Sequence, residues 1–210
     1  MQGDSRTTGD GAEPTTVVRA DWVLTVDARD RVLHDGAVAI VGGVLTAVGP
    51  ADKVLAAHPG AEVVHLRGHA LLPGLVNAHT HFGMTMFRGY ADDRDLQDFL
   101  GVVIPAEERV LDRERVRRAT RAAAVESVLA GVTTALDMYF FHADGAAGAA
   151  EVGMRLQTGQ LVVDVPGPEG WSWEQRLDAA EQWLVAHPVR PGWRPVVAPH
   201  STYAVAPEHL

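Results

Sequence analysis

Two histidines separated by one residue, His79 and His81, carry the sharpest chemical signal in the sequence. Residues 75–79 are short, apolar and entered through Pro73-Gly74, the pattern of a strand. Side chains two apart on a strand share a face, with Cα atoms roughly 6.6 Å apart. Both imidazoles can then reach one ion at about 2.0–2.1 Å from each nitrogen. Spacing alone leaves two readings open, a partly built metal site or a pair of structural histidines at a strand end. The sequence has no cysteine, which removes disulfides, thiolate nucleophiles and Cys-ligated metal together. Any metal must be held by His, Asp or Glu.

The elements that would position these histidines fall into two parts. Residues 1–15 are polar and read as a disordered leader with no signal-peptide core. Residues 16–70 read as a small β-rich domain, an incomplete β-sandwich. Strands are expected over 17–26, 37–41, 44–48 and 62–66, with a short helix over 52–57. Gly42-Gly43 between two apolar runs is a two-residue hairpin, because primed turns need positive φ.

From residue 71 the rhythm becomes strand, then helix, repeated. Strands are expected over 75–79, 132–139, 155–163 and 196–198. Helices are expected around 95–100, over 112–130 with Asp112 as N-cap and Gly131 just past the end, and over 173–186. Ser172 and Gln175 fit a capping box. Alternation at this spacing predicts a parallel sheet of βα units. A closed eight-stranded barrel takes about 250 residues. Residues 71–210 hold about four units, so the expected fold is α/β, the N-terminal half of a (β/α)8 TIM-like barrel, truncated. Active sites of such barrels lie at the carboxyl ends of the strands, where His79-Thr80-His81 sits.

Composition narrows the partners. The 210 residues carry 18 Lys plus Arg against 27 Asp plus Glu, a net charge of −9. That charge opposes binding to a phosphate backbone, so no nucleic-acid partner is expected. No apolar run reaches the 18 or so residues of a membrane span, and a cytoplasmic location is the default expectation. A small-molecule substrate remains.

Residues Leu71-Leu72-Pro73-Gly74-Leu75-Val76-Asn77-Ala78-His79-Thr80-His81 resemble the segment opening the amidohydrolase superfamily barrel. The resemblance continues through Met84-Thr85-Met86-Phe87-Arg88-Gly89, Gly131-Val132-Thr133-Thr134 and Asp137-Met138-Tyr139-Phe140. Ala198-Pro199-His200-Ser201-Thr202-Tyr203 is similar to a segment of one branch of it. That branch holds deaminases of S-adenosylhomocysteine and methylthioadenosine, and triazine chlorohydrolases. The resemblance implies a metal-dependent hydrolase of carbon–nitrogen bonds other than peptides, deaminating a heteroaromatic ring such as an adenosine-type nucleoside. It implies His79 and His81 as metal ligands, Glu107 as a contact to the substrate ribose, and His200 as a catalytic, substrate-binding residue. Glu108 rivals Glu107, and Glu107-Glu108-Arg109 equally fits a solvated helix start. His200 equally fits a hydrogen-bonded loop histidine. The implied cofactor is a divalent metal, zinc first, with iron, manganese and nickel suiting the same ligands.

An arginine that some members carry in the third strand falls near Thr158-Gly159 here, so binding of an amino-acid tail is not expected. Two histidines leave zinc short of three protein ligands; the resemblance places the others, and a proton-shuttling Glu, beyond Leu210. Two rival expectations stand beside the enzyme: an inactive fragment, and one half of a split protein that binds a complementing C-terminal half. A homo-oligomer is compatible with each. His34, His58, His65, His69, His187 and His209 are expected as surface or capping residues, and Asp137 as a paired core acid; His142, which follows the second strand, fits either the active-site mouth or a place without function, the latter being preferred.

Overall fold

A computed structural model describes residues 13–209. The chain divides between Pro73 and Gly74 into two compact units. The first contains β1 (Thr15–Leu24), β2 (Val32–Val41), β3 (Val44–Pro50), α1 (Ala51–Ala57) and β4 (Glu62–Leu71). The sheet order is β3-β2-β1-β4, antiparallel except for the parallel β1–β4 pair. Gly42 and Gly43 join β2 to β3 at φ of 56° and 79°, which non-glycine residues adopt at a cost. Val17, Ala37 and Ala39 pack under Ala51 and Val54 of α1; small residues there let the helix sit close on the sheet. β1 starts at Thr15, the last residue of the expected leader. Residues 1–12 of that leader lie outside the described residues.

The second unit contains β5 (Leu75–Thr80), α2 (Leu96–Val110), α3 (Arg113–Leu129), β6 (Val132–Asp137), α4 (His142–Ala150), β7 (Arg155–Gln157), β8 (Leu161–Val162), α5 (Trp173–Ala186) and β9 (Ala198–Pro199). β5, β6 and β7 form a parallel sheet in that order, and β8 pairs in parallel with β9. Alternating strands and helices make this an α/β fold. Local signals set several boundaries. The Asp112 carboxylate accepts the Arg115 N–H at 2.8 Å and opens α3. Gly131 follows its end at φ 84°, and the Ser172–Gln175 capping box opens α5. Ala123 and Ala124 of α3, Ala135 of β6, Ala149 of α4 and Leu156 of β7 share one core with Phe82. The α3–α4 approach is so close that a Cβ on Gly148 would lie 2.2 Å from the Arg117 carbonyl oxygen.

Three expectations need correction. The helix expected near residues 95–100 runs on to Val110, through Gly101 and Pro105. Burying Val103, Ala106 and Glu107 offsets the hydrogen bond that proline removes. Glu107-Glu108-Arg109 therefore lies in the last turns of α2, not at a helix start. The third strand is not continuous over 155–163: it breaks at Thr158-Gly159-Gln160, where β7 leaves the β6 ladder and β8 joins β9. A Cβ on Gly159 would lie 1.5 Å from the Val196 carbonyl oxygen, so the chain can cross there only as glycine. α4 was not expected, because His-Ala-Asp-Gly-Ala-Ala-Gly-Ala-Ala carries too few large apolar residues to show a period. Among the described residues, no helix is long and apolar enough to cross a membrane.

Candidate metal and substrate site

β5 delivers its histidines at its carboxyl end, where the chain turns into a 3₁₀ segment, Phe82–Phe87. The Thr80–Asp137 pairing with β6, continued by the Met138 N–H to the Thr80 carbonyl at 3.1 Å, brings Met138 beside His81. His81 Nδ1 lies 2.6 Å from the Met138 carbonyl oxygen. A carbonyl only accepts, so Nδ1 carries the proton and Nε2 keeps a free lone pair. Such a bond fixes the tautomer and aim of metal-ligating histidines. Burial holds the His81 imidazole below its ordinary pKa, against the Met138 bond and with the neighbouring His79 charge. A neutral ring is the ligating form.

The His79 and His81 rings stand edge to face with centroids 4.9 Å apart. Two imidazoles on one tetrahedral ion, each nitrogen at about 2.0–2.1 Å, have centroids roughly 5.1–5.3 Å apart. The ring spacing is within a few tenths of an ångström of that for two positions of one zinc-type site. No group of three or more His, Cys, Asp or Glu able to hold a metal occurs among the described residues. Two imidazoles fall short of the three protein ligands usual at catalytic zinc.

His200 follows β9, its N–H bonded to the Val162 carbonyl at 3.0 Å. Its ring lies parallel to that of His81, with centroids 6.4 Å apart, and its Nδ1 is 3.1 Å from Ser201 Oγ. Burial first, then the charges of His81 and His79, hold its pKa down. The fold thus gathers His79, His81 and His200 from strand ends far apart in sequence.

Glu107 reaches this group through Tyr139, a residue to which the sequence alone assigns no role. Tyr139, just past β6, is 4% exposed, its ring centroid 6.4 Å from that of His81. Its hydroxyl donates to Glu107 Oε1 at 2.6 Å. Burial raises the Glu107 carboxyl pKa; the Tyr139 bond opposes this, and Glu108 adds to it. Burial, together with Glu107, raises that of the Tyr139 phenol. Glu107 is 7% exposed, whereas its rival Glu108 is exposed. No local pattern pairs Tyr139 with a carboxylate 32 positions earlier.

Asp137 is 2% exposed, accepts the Phe82 N–H at 2.7 Å, and is pushed up to about 7 by burial. His142 is buried, edge to face with Trp183 at 4.6 Å between ring centroids. The position near which the family arginine would fall has no room for one, since Thr158 is fully buried and Gly159 abuts Val196. Arg176 of α5, which no sequence pattern marks, is fully buried and paired with Glu169 at 2.7 Å.

Comparison with known proteins bears on the family and the fold. The amidohydrolase family profile matches residues 70–210. A bacterial imidazolonepropionase-like composite domain matches residues 36–61. The chain is 38% identical over 188 residues to a 5-methylthioadenosine/S-adenosylhomocysteine deaminase of Syntrophobacter fumaroxidans, covering 90% of this chain and 43% of that protein. It is 35% identical to a deaminase of the same name from Thermodesulfovibrio yellowstonii, covering 93% and 45%. A zinc-bound adenosine deaminase from Xanthomonas campestris superposes with a TM-score of 0.80 at 30% identity, covering 93% of this chain and 45% of that one. A triazine hydrolase variant superposes at 0.82 with 20% identity, covering 93% and 48%, which speaks to the fold alone. The chain spans less than half the length of these relatives and corresponds to their N-terminal half. By the family match over residues 70–210 and by its fold, the chain belongs to the amidohydrolase family.

Proposed function

We propose that the chain is the N-terminal part of a metal-dependent hydrolase of carbon–nitrogen bonds other than peptides, one that deaminates a heteroaromatic ring such as that of an adenosine-type nucleoside. The single observation that carries this is the His79–His81 pair, with His81 fixed by Met138 so that Nε2 stays free. On this reading residues 71–210 form the first half of a (β/α)8 barrel, residues 16–70 a small β-rich domain preceding it, and the protein works in the cytoplasm. His79 and His81 hold a divalent ion, zinc first. When bound, the ion lowers the pKa of a water towards 7 and supplies a nucleophile at neutral pH.

The chain's own residues orient the substrate. His200 stands 6.4 Å, ring to ring, from His81, and on this reading it faces the group that leaves. Its lowered pKa favours the neutral ring near neutrality, so one ring nitrogen donates and the other accepts. The Glu107 carboxylate accepts hydroxyl hydrogen bonds from the sugar. Two imidazoles do not complete a catalytic site, so the reading requires further ligands beyond those the described residues gather, in the same polypeptide or in a complementing one.

The test uses the intact gene product that contains this chain. Ammonia release is followed over a panel of aminated heterocycles and nucleosides, with divalent metal measured on the same preparation. About one equivalent of metal and turnover of an adenosine-type substrate are expected, with both lost in the His79→Asn/His81→Asn double variant. Turnover that survives in that variant overturns the proposal.

A further inference from the structure

We propose that Tyr139 is a positioning residue that aims the Glu107 carboxylate at a vicinal diol of the substrate, and so sets the preference for ribosides. The proposal rests on the reading of Glu107 as the sugar contact. Tyr139 is placed to do this by four separate parts of the fold. Its backbone continues β6 beyond Asp137, and its ring shares a cluster with Leu111, at the end of α2, and Val116 of α3. On another side the ring lies against the turn that follows His81. A Cβ on Gly83 would sit 2.2 Å from Tyr139 Cδ1, so the ring occupies space that any side chain at residue 83 would take. The hydroxyl then meets Glu107, whose own backbone carbonyl accepts the Leu111 N–H at 2.9 Å.

The consequence lies in which carboxylate oxygen is used. Among the described residues, the Glu107 side chain has one hydrogen bond, from Tyr139 to Oε1. Oε2 is left for a ligand. A hydroxyl donating to one oxygen fixes rotation of the carboxylate about its last torsion, which is otherwise broad. It also opposes the upward push that burial gives the Glu107 carboxyl, and a charged acceptor bonds hydroxyls more strongly. A fixed acceptor distinguishes a sugar with neighbouring hydroxyls from one without; a rotating one does so poorly. Tyr139 thereby couples sugar recognition to the His81 end of β5 through its ring and to α2 through its hydroxyl.

Equilibrium binding to the metal-stripped intact gene product tests this without turnover. The probes are adenosine and 2′,3′-dideoxyadenosine, and the quantity read is the ratio of their dissociation constants. The wild type is expected to prefer adenosine by at least tenfold, Glu107→Gln to lose most of that ratio, and Tyr139→Phe to lower it by about fivefold to tenfold. A purely structural role for Tyr139 weakens both ligands alike and leaves the ratio unmoved, which overturns the proposal. Absence of a preference in the wild type, or an unchanged ratio in Glu107→Gln, overturns the reading of Glu107 itself and the proposal with it. Should Tyr139→Phe fail to fold by near-ultraviolet circular dichroism, Gly83→Ala displaces the ring while keeping the hydroxyl. A lowered ratio there supports the proposal, and a retained one overturns it.

Discussion

Replacing Arg176 with methionine removes a fully buried guanidinium from the centre of a tightly wrapped loop. Its Nη1 donates to Glu169 Oε2 at 2.7 Å and to the Leu161 carbonyl at 3.3 Å. Its Nη2 donates to the carbonyls of Pro166 at 2.6 Å and Val165 at 3.3 Å. The other Glu169 oxygen accepts the Phe141 N–H at 2.8 Å, where Phe141 holds φ 50° ahead of α4. The pair thus ties the loop after β8 to the turn after β6. Side-chain exposure is 0% for Arg176 and 3% for Glu169, so the loss of one charge strands the other. Such a deletion costs about 3–5 kcal/mol. The exposed Arg118–Glu114 pair, 77% and 54% exposed, is worth less than about 1 kcal/mol by comparison. Four of the five tryptophans, at 171, 173, 183 and 193, lie beyond Gly74, so urea unfolding followed by fluorescence reports this unit. With a slope near 2 kcal/mol per molar, Arg176→Met lowers the midpoint by roughly 1.5–2.5 M. The Arg176→Met/Glu169→Leu double variant is expected to recover at least half of that, because no charge is left unpaired. A loss below about 1 kcal/mol for Arg176→Met, or strictly additive effects, refutes the reasoning.

Two further predictions concern the same unit. Burial, aided by the His187 charge and opposed by a bond to Gln160, holds the His142 imidazole at about 4. The unfolded chain therefore takes up the proton first: stability is full above about pH 6.5 and falls towards pH 4, by up to roughly 3 kcal/mol. His142→Phe is expected to flatten the urea midpoint between those pH values, and an unchanged slope disproves the assignment. Gly159→Ala forces a Cβ into the Val196 carbonyl and is expected to cost about 3 kcal/mol. Amide exchange at Ala198 and His200, whose N–H groups bond to Gln160 and Val162, is expected to speed up selectively; protection retained there refutes the close crossing.

The legible parts of this protein were those written in neighbouring residues. Gly42-Gly43 forces a primed hairpin, Asp112 and Ser172 cap helices three residues ahead, and His79 and His81 share a strand end because alternation along a strand is a local rule. His200 and Glu107 were reached through resemblance, not through spacing. What only tertiary structure decided lies in contacts between distant residues. The length of α2 depends on burying Val103 and Ala106, which outweighs the local helix-breaking tendency of Gly101 and Pro105. The break in the third strand comes from the closeness of Val196 to Gly159, far apart along the chain. The pairing of a buried Glu107 with the Tyr139 hydroxyl, while Glu108 stays exposed, is such a contact, and so is the burial of Arg176 within a carboxylate and three carbonyls that close around it. Sequence carries short-range geometry because backbone torsions are local, whereas desolvation and pairing energies exist only once the folded chain has excluded water from the groups concerned.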